Sequence, residues 1–239
     1  LTLETAAVCC IHCLSKLQTK EQNTISMKKS ISTVLFIILL LAIDQITKIL
    51  VKTNMVLYGD IEIFGWLHIH FIENPGMAFG LVLGNKIFLT LFRIIVSGFV
   101  LYYIIRLLRA EHRMGYIMCI CLIFTGAIGN IVDSMFYGLV FSQSTPFEVA
   151  AIFPSSGGYA PFLAGKVVDM IYCPLFVFPS WVPWVGGEIF FSPVFNFADS
   201  CITVGVILLI IFYRKDFNTT FDRFFSSKRD TSHSNDSLR

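Results

Sequence analysis

Two aspartates in this chain stand where an ionisable group is costly. Asp199 closes the stretch Phe195-Asn196-Phe197-Ala198-Asp199, which opens a long apolar run from Val194 to Tyr213, and Asp169 follows Val167-Val168 in equally apolar surroundings. A carboxylate inside such a segment costs several kcal/mol unless it is paired or faces a wet cavity, so its presence points to function. Two carboxylates brought close together cannot both ionise cheaply. They share one proton, and one becomes a general base while the other becomes a general acid. Asn196 precedes Asp199 by three positions and would share its helix face. Acid/base chemistry by Asp169 and Asp199 is therefore expected, with the rest of the chain bringing the two to one depth.

The elements that must position them are membrane spans. Of 239 residues, 55% are hydrophobic and only 14% charged, and the mean hydropathy is +0.73. A soluble domain carries about 25% charged residues, so the composition is that of a polytopic membrane protein. The net charge of +2 comes from dispersed basic residues and gives no nucleic-acid signature. Among the seven Cys no CxxC pair has a distant His or Cys partner, so neither a zinc site nor a disulfide framework is indicated, and no metal or other cofactor is implied. Residues 1–26 are polar and carry Cys9, Cys10 and Cys13, and Met27-Lys28-Lys29 looks like a translation start. We therefore expect 1–26 to be a disordered upstream extension rather than a redox or metal-binding tail.

Four apolar runs are long enough to cross about 30 Å of hydrocarbon: Ile31 to Val51, Ile87 to Leu108, Met114 to Phe136 and Val194 to Phe212. Asp44 and Lys48, four apart near the end of the first, are expected to form an ion pair that braces a helix end. In the third, Gly126, Gly129, Asn130 and Asp133 fall on one face, small residues for close helix approach followed by polar ones. Between the first two spans, 61–71 partly alternates, which predicts short strands with His68 and His70 on a solvated side. Asn74-Pro75-Gly76 is turn chemistry. Residues 137–192 are too polar and too broken by Pro to span, and their Trp and Tyr content suits a membrane interface or the rim of an apolar groove. Residues 214–239 are expected to form a disordered tail.

Lys28 and Lys29, then Arg106, Arg109 and Arg113, then Arg214 and Lys215 flank alternate span ends. The positive-inside rule then puts both termini in the cytoplasm and makes loops 52–86 and 137–192 external. Asp44, Asp133, Asp169 and Asp199 all fall at the outer interface. A serine peptidase fails for want of a His at that depth on a span, and a zinc peptidase for want of HExxH. A proton-coupled transporter would use intramembrane Asp and Asn as ion sites, but four spans without an inverted repeat argue against it.

Taken in order, Asp44-Gln45-Ile46-Thr47-Lys48, Asn74-Pro75-Gly76-Met77-Ala78-Phe79-Gly80, Gly126 to Asp133, Val167-Val168-Asp169 and Asn196-Phe197-Ala198-Asp199 resemble the five motifs of the lipoprotein signal peptidase (signal peptidase II) family. The resemblance covers Met27 to about Tyr213. It implies an all-α membrane fold, a four-helix bundle with a small extracytoplasmic β-cradle, to which this chain adds long periplasmic loops. It also implies an aspartic endopeptidase of the bacterial inner membrane, working at the periplasmic face. Its substrates would be diacylglyceryl-modified prolipoproteins, cut just before the lipidated Cys. Membrane lipid and a globomycin-type inhibitor are the other implied partners. Asp169 and Asp199 match the catalytic pair, and Asn74, Gly76, Gly126, Asn130, Asp133, Asn196 and Ala198 match substrate-binding or supporting positions. Two departures stand out. Ser134 occupies a position usually held by Arg, for which Arg93 is a candidate substitute, and the connections on either side of Asp169 are longer than the family's usual ones.

Overall fold

A run of 58 residues without Gly or Pro begins the chain, and most of it forms one helix. In the computed structural model, described over residues 3–76 and 86–226, α1 spans Leu3–Asn54. A two-residue turn joins β1 (Asp60–Phe64) to β2 (Leu67–Asn74). Then follow α2 (Lys86–Arg109) and α3 (Met114–Val132), the latter running on through a π-helical turn at Asp133–Tyr137 into the short α4 (Gly138–Val140). An irregular stretch leads to β3 (Val167–Tyr172), a small hairpin of β4 (Phe176–Val177) and β5 (Ile189–Phe190), α5 (Phe197–Phe212) and α6 (Arg214–Ser226). Three antiparallel strands make a sheet in the order β1-β2-β3.

The pattern of burial is inverted relative to a protein in water. Leu35, Leu39 and Leu50 on α1, Phe88, Phe92 and Phe99 on α2, and Ile210 and Ile211 on α5 point outward, while Asp44, Lys48, Asp133 and Asn196 are buried. Ser26–Asn54, Lys86–Arg109 and Met114–Val140 are long and apolar enough to cross a membrane. With its 16 residues, α5 is about 24 Å long. It meets α6 at a bend of 93°, and the pair counted as one broken span would be a fourth. The chain is a multi-pass membrane protein.

The interior is layered. One apolar cluster joins Ile104 and Leu107 of α2 to Tyr116, Ile117, Ile120 and Phe124 of α3. A second lies beneath the sheet, around Met55, Phe71, Tyr137, Phe141 and Val168. Along both α1 and α3, the polar residues 44–48 and 129–133 fall between these clusters. The helix α3 is the hub, packed against α1, α2 and α5. A Cβ on Gly126 would run into the carbonyl of Ala198, and one on Gly129 into the Asp44 carboxylate.

Three expectations need correction. Residues 3–26 are helical rather than disordered, because nothing in this Gly- and Pro-free stretch stops α1 from propagating upstream. Residues 214–226 are likewise helical, with Phe217 packed on the first cluster and Thr220 buried against Tyr103 and Tyr116. The last apolar run becomes helical only at Phe197, because Phe195 is bonded in extended form to Ile171 of β3. Met77, Ala78, Phe79 and Gly80 of the second motif, residues 227–239, and the side chains of Cys9, Cys10 and Cys13 lie outside the described residues.

Candidate active site

The end of α5 is built by its own residues. Asn196 is extended (φ −124°, ψ 179°) and caps the helix: its side chain accepts from the Asp199 amide at 2.9 Å, while Asp199 Oδ2 accepts from the Asn196 amide at 3.2 Å. This reciprocal box satisfies two backbone donors that a helix start leaves free. It also fixes where the Asp199 carboxylate points. Asn196 and Asp199 thus meet through a cap rather than by lying on a common helix face.

Asp169 comes to them on β3, opposite Ile72 of β2. Asn196 Nδ2 donates to Asp169 Oδ1 at 2.6 Å and to Asn130 Oδ1 at 3.1 Å. Asn130 Nδ2 donates to Asp199 Oδ1 at 2.8 Å. Asn74 Nδ2 donates to Asp169 Oδ2 at 3.3 Å, and its Oδ1 accepts from the Gly76 amide at 2.9 Å, in a turn where Gly76 adopts φ +101°. Three asparagine amides therefore hold two carboxylates from four elements. Asp169 is almost wholly buried. Burial and the negative charge of Asp199 push its carboxyl up to about 7, against the pull of the Asn196 and Asn74 donors.

Behind the pair stands a buried cation. Lys48 Nζ lies 2.8 Å from Asp133 Oδ2, 3.0 Å from Asp44 Oδ2 and 2.9 Å from Asn130 Oδ1. Each carboxylate then reaches a different element: Asp44 Oδ1 accepts from the Ala198 amide at 2.9 Å, and Asp133 Oδ2 from the Val168 amide at 3.4 Å. Lys48 thereby ties α1 to both strands of chain that carry the aspartates. Gly126 and Ala198 set the spacing of α3 and α5 and carry no reactive group themselves. Ser134 Oγ donates to the Asn130 carbonyl within its own helix. Arg93, half-buried on α2, lies within electrostatic range of Asp199 and Asp169.

Other contributors were not singled out from sequence. Gln45 Nε2 bridges Asp44 and Asp133 at 3.0 Å each, and the Tyr137 hydroxyl donates to its carbonyl. Glu73, next to Asn74, is bonded to Lys52, to Ser144 at 2.8 Å and to Lys166 at 3.0 Å. Burial raises the Glu73 carboxyl, but the Lys52 ammonium and these donors outweigh it and hold the group below its usual range. This knot fastens the long connection 141–166 to β2. The spacing of Asp44, Lys48 and Lys52 at four-residue steps was the available signal for Lys52. His68 and His70 bond to Asp60 on the half-exposed side of the sheet.

A model of the family described as signal peptidase (SPase) II matches residues 36–214. The chain is 52% identical over 191 residues to a lipoprotein signal peptidase of Porphyromonas gingivalis, covering 78% of this chain and 84% of that one. It is 36% identical over 184 residues to one of Amoebophilus asiaticus, covering 73% and 74%. Among solved structures, a bacterial membrane enzyme determined by the in meso method at 2.3 Å superposes with a TM-score of 0.53 at 25% identity, over 79% of this chain and 90% of that one. The described residues of the five expected motifs converge on one polar layer, and the family match spans all five motifs in sequence. The chain belongs to the signal peptidase II family, aspartic endopeptidases that remove signal peptides from prolipoproteins.

Proposed function

We propose that Asp169 and Asp199 are the catalytic pair and that the substrate is a diacylglyceryl-modified prolipoprotein, cut on the N-terminal side of its lipidated Cys. The observation that carries this reading is the linkage of a nearly buried Asp169 to Asp199 through the side chains of Asn196 and Asn130. Asp199 takes a proton from a water molecule as that water attacks the scissile carbonyl carbon, while Asp169 gives its proton to the carbonyl oxygen. The tetrahedral product then collapses. The C–N bond breaks, the amine leaves with a proton returned through Asp199, and a hydroxyl proton goes back to Asp169. The asparagine amides keep both carboxylates oriented through the cycle, and Asn74, Asn130 and Asn196 would hold the peptide backbone in extended form.

The fold we infer around this site is a four-span bundle, with α5 as the fourth span and the β1-β2-β3 sheet as an extracytoplasmic cradle. Both termini then lie in the cytoplasm and the carboxylates at the periplasmic face of the inner membrane, which the Lys/Arg asymmetry supports. A globomycin-type inhibitor would occupy the same cleft. The deciding experiment is cleavage of a lipidated prolipoprotein peptide by purified enzyme. Asp169→Asn and Asp199→Asn should each lower the rate by at least about a hundredfold, with no further loss in the double variant, because the two act as one unit. Substantial turnover by either single variant would remove the two-aspartate mechanism.

A further inference from the structure

Between β3 and α5 the chain makes an excursion that the peptidase chemistry does not use. Residues 174–193 contain one charged side chain, Glu188, and no Lys or Arg. β4 and β5 pair through Phe176–Phe190 and Val177–Ile189, and the two Phe rings stack at 4.8 Å. At the tip, Trp184 is fully exposed and Trp181 is 79% exposed, while Phe176, Val177, Ile189 and Phe190 are exposed along the arms. Exposed apolar area of this extent marks a surface that something covers.

The backbone of the tip says what. Val182 donates to the Pro179 carbonyl, Gly186 to Val182 and Glu188 to Val185, while Gly187 and Phe178 close the arms through Phe178 and Glu188. Pro174, Pro179, Pro183 and Pro193 have no N–H to satisfy. These bonds hold the tip closed and turn its apolar side chains outward, while the open edges of the two-stranded hairpin keep it at the level of the hydrated interface rather than in the hydrocarbon. The two roots of the hairpin are held together by the Ile171–Phe195 bridge, one following β3 and the other leading into α5 at Phe197, the end of a membrane helix. Trp is the residue of the bilayer interface.

We propose that the hairpin 174–193 docks into the interfacial layer of the bilayer beside the cleft, with Trp181 and Trp184 as its lipid-facing groups. The lack of basic residues makes this docking aromatic and apolar rather than electrostatic, so it does not require anionic lipid. Because the roots flank Asp169 and Asn196, a docked hairpin holds the mouth of the cleft at the depth where a lipid-anchored substrate arrives. The docking itself stands independently of which aspartates react.

Two single-Trp versions of the full-length enzyme test it: Trp66→Phe with Trp184→Phe leaves Trp181, and Trp66→Phe with Trp181→Phe leaves Trp184. Each is reconstituted in phosphatidylcholine vesicles and checked for prolipoprotein cleavage to establish that it is folded. Expected is blue-shifted emission that loses most of its intensity to lipids brominated high on the acyl chain. It should lose less to lipids brominated near the chain end and little to aqueous iodide, and added phosphatidylglycerol should change none of this. Red emission quenched by iodide would place the tip in water and overturn the proposal. Blue emission untouched by any brominated lipid would mean that protein covers it, as in a second copy of the chain, and would overturn it equally.

Discussion

An exposed aspartate has lost its proton well below neutrality, but Asp169 keeps its own up to about 7 because burial and the charge of Asp199 oppose ionisation. The sign of the pH dependence follows. As pH rises through about 7 the proton on Asp169 is lost, the general acid disappears and cleavage declines. A pH series on purified enzyme checks this, and a rate that stayed level from about pH 6 to about pH 9 would contradict it. The brace behind the pair makes a second test. Lys48 has two carboxylate partners, Asp44 and Asp133, so Asp44→Asn or Asp133→Asn alone leaves the ammonium paired. Each should lower stability and activity together, by less than the ~3–5 kcal/mol expected for an abandoned buried charge. Asp133→Asn should remain measurably active. The double variant strands Lys48 and should lose more than the two single losses combined. Thermal unfolding in detergent measures all three, and simple additivity would rule out a shared cation.

At the scale of elements, the distance between α3 and α5 decides whether Asn130 can reach Asp199 at 2.8 Å. Gly126 sets that distance, since a Cβ there meets the Ala198 carbonyl. Gly126→Ala should therefore cost about 1–3 kcal/mol by overpacking and reduce turnover with it. Gly98→Ala, on α2 with open space around it, should leave both unchanged. Equal behaviour of the two variants would show that helix spacing is not what Gly126 provides. The Glu73 knot is the other element-scale device. It joins the end of α1, β2 and the approach to β3 through Lys52, Ser144 and Lys166. The connection that looked longest in sequence is thus fastened next to Asn74.

For the molecule as a whole, orientation is the property that the distribution of Lys and Arg argues. The basic groups at Arg106, Arg109 and Arg113 mark one end of α2 and α3, and the polar layer lies toward the other. Single cysteines at Ala110 and Glu62, in a background cleared of native cysteines, should react differently with a membrane-impermeant reagent added to intact cells. Glu62→Cys should label and Ala110→Cys should not. The reverse pattern would invert the orientation and carry the aspartates to the cytoplasmic side.

Sequence alone determined the class of solvent, the approximate spans and the residues whose burial needs a reason. Hydropathy runs and misplaced charges are properties of chain order, and the pair Asp44 and Lys48 follows from helix periodicity. It did not determine partners distant along the chain. That Lys48 also meets Asp133, that Asn130 bridges to Asp199 and that Asp169 arrives on a strand depend on how helices are rotated about their axes and how closely they pack. Periodicity says which residues share a face, not which neighbour the face meets. Asn196 shows the same limit locally: three-residue spacing suits a common helix face and an N-cap alike. The Phe195 bridge to Ile171, a contact across 24 positions, decided for the cap by stopping the helix at Phe197. The disorder expected of 3–26 and 214–226 failed for related reasons. One segment inherits its helix from the span it continues, and the other gains its stability from burying Phe217 and Thr220 against α2 and α3.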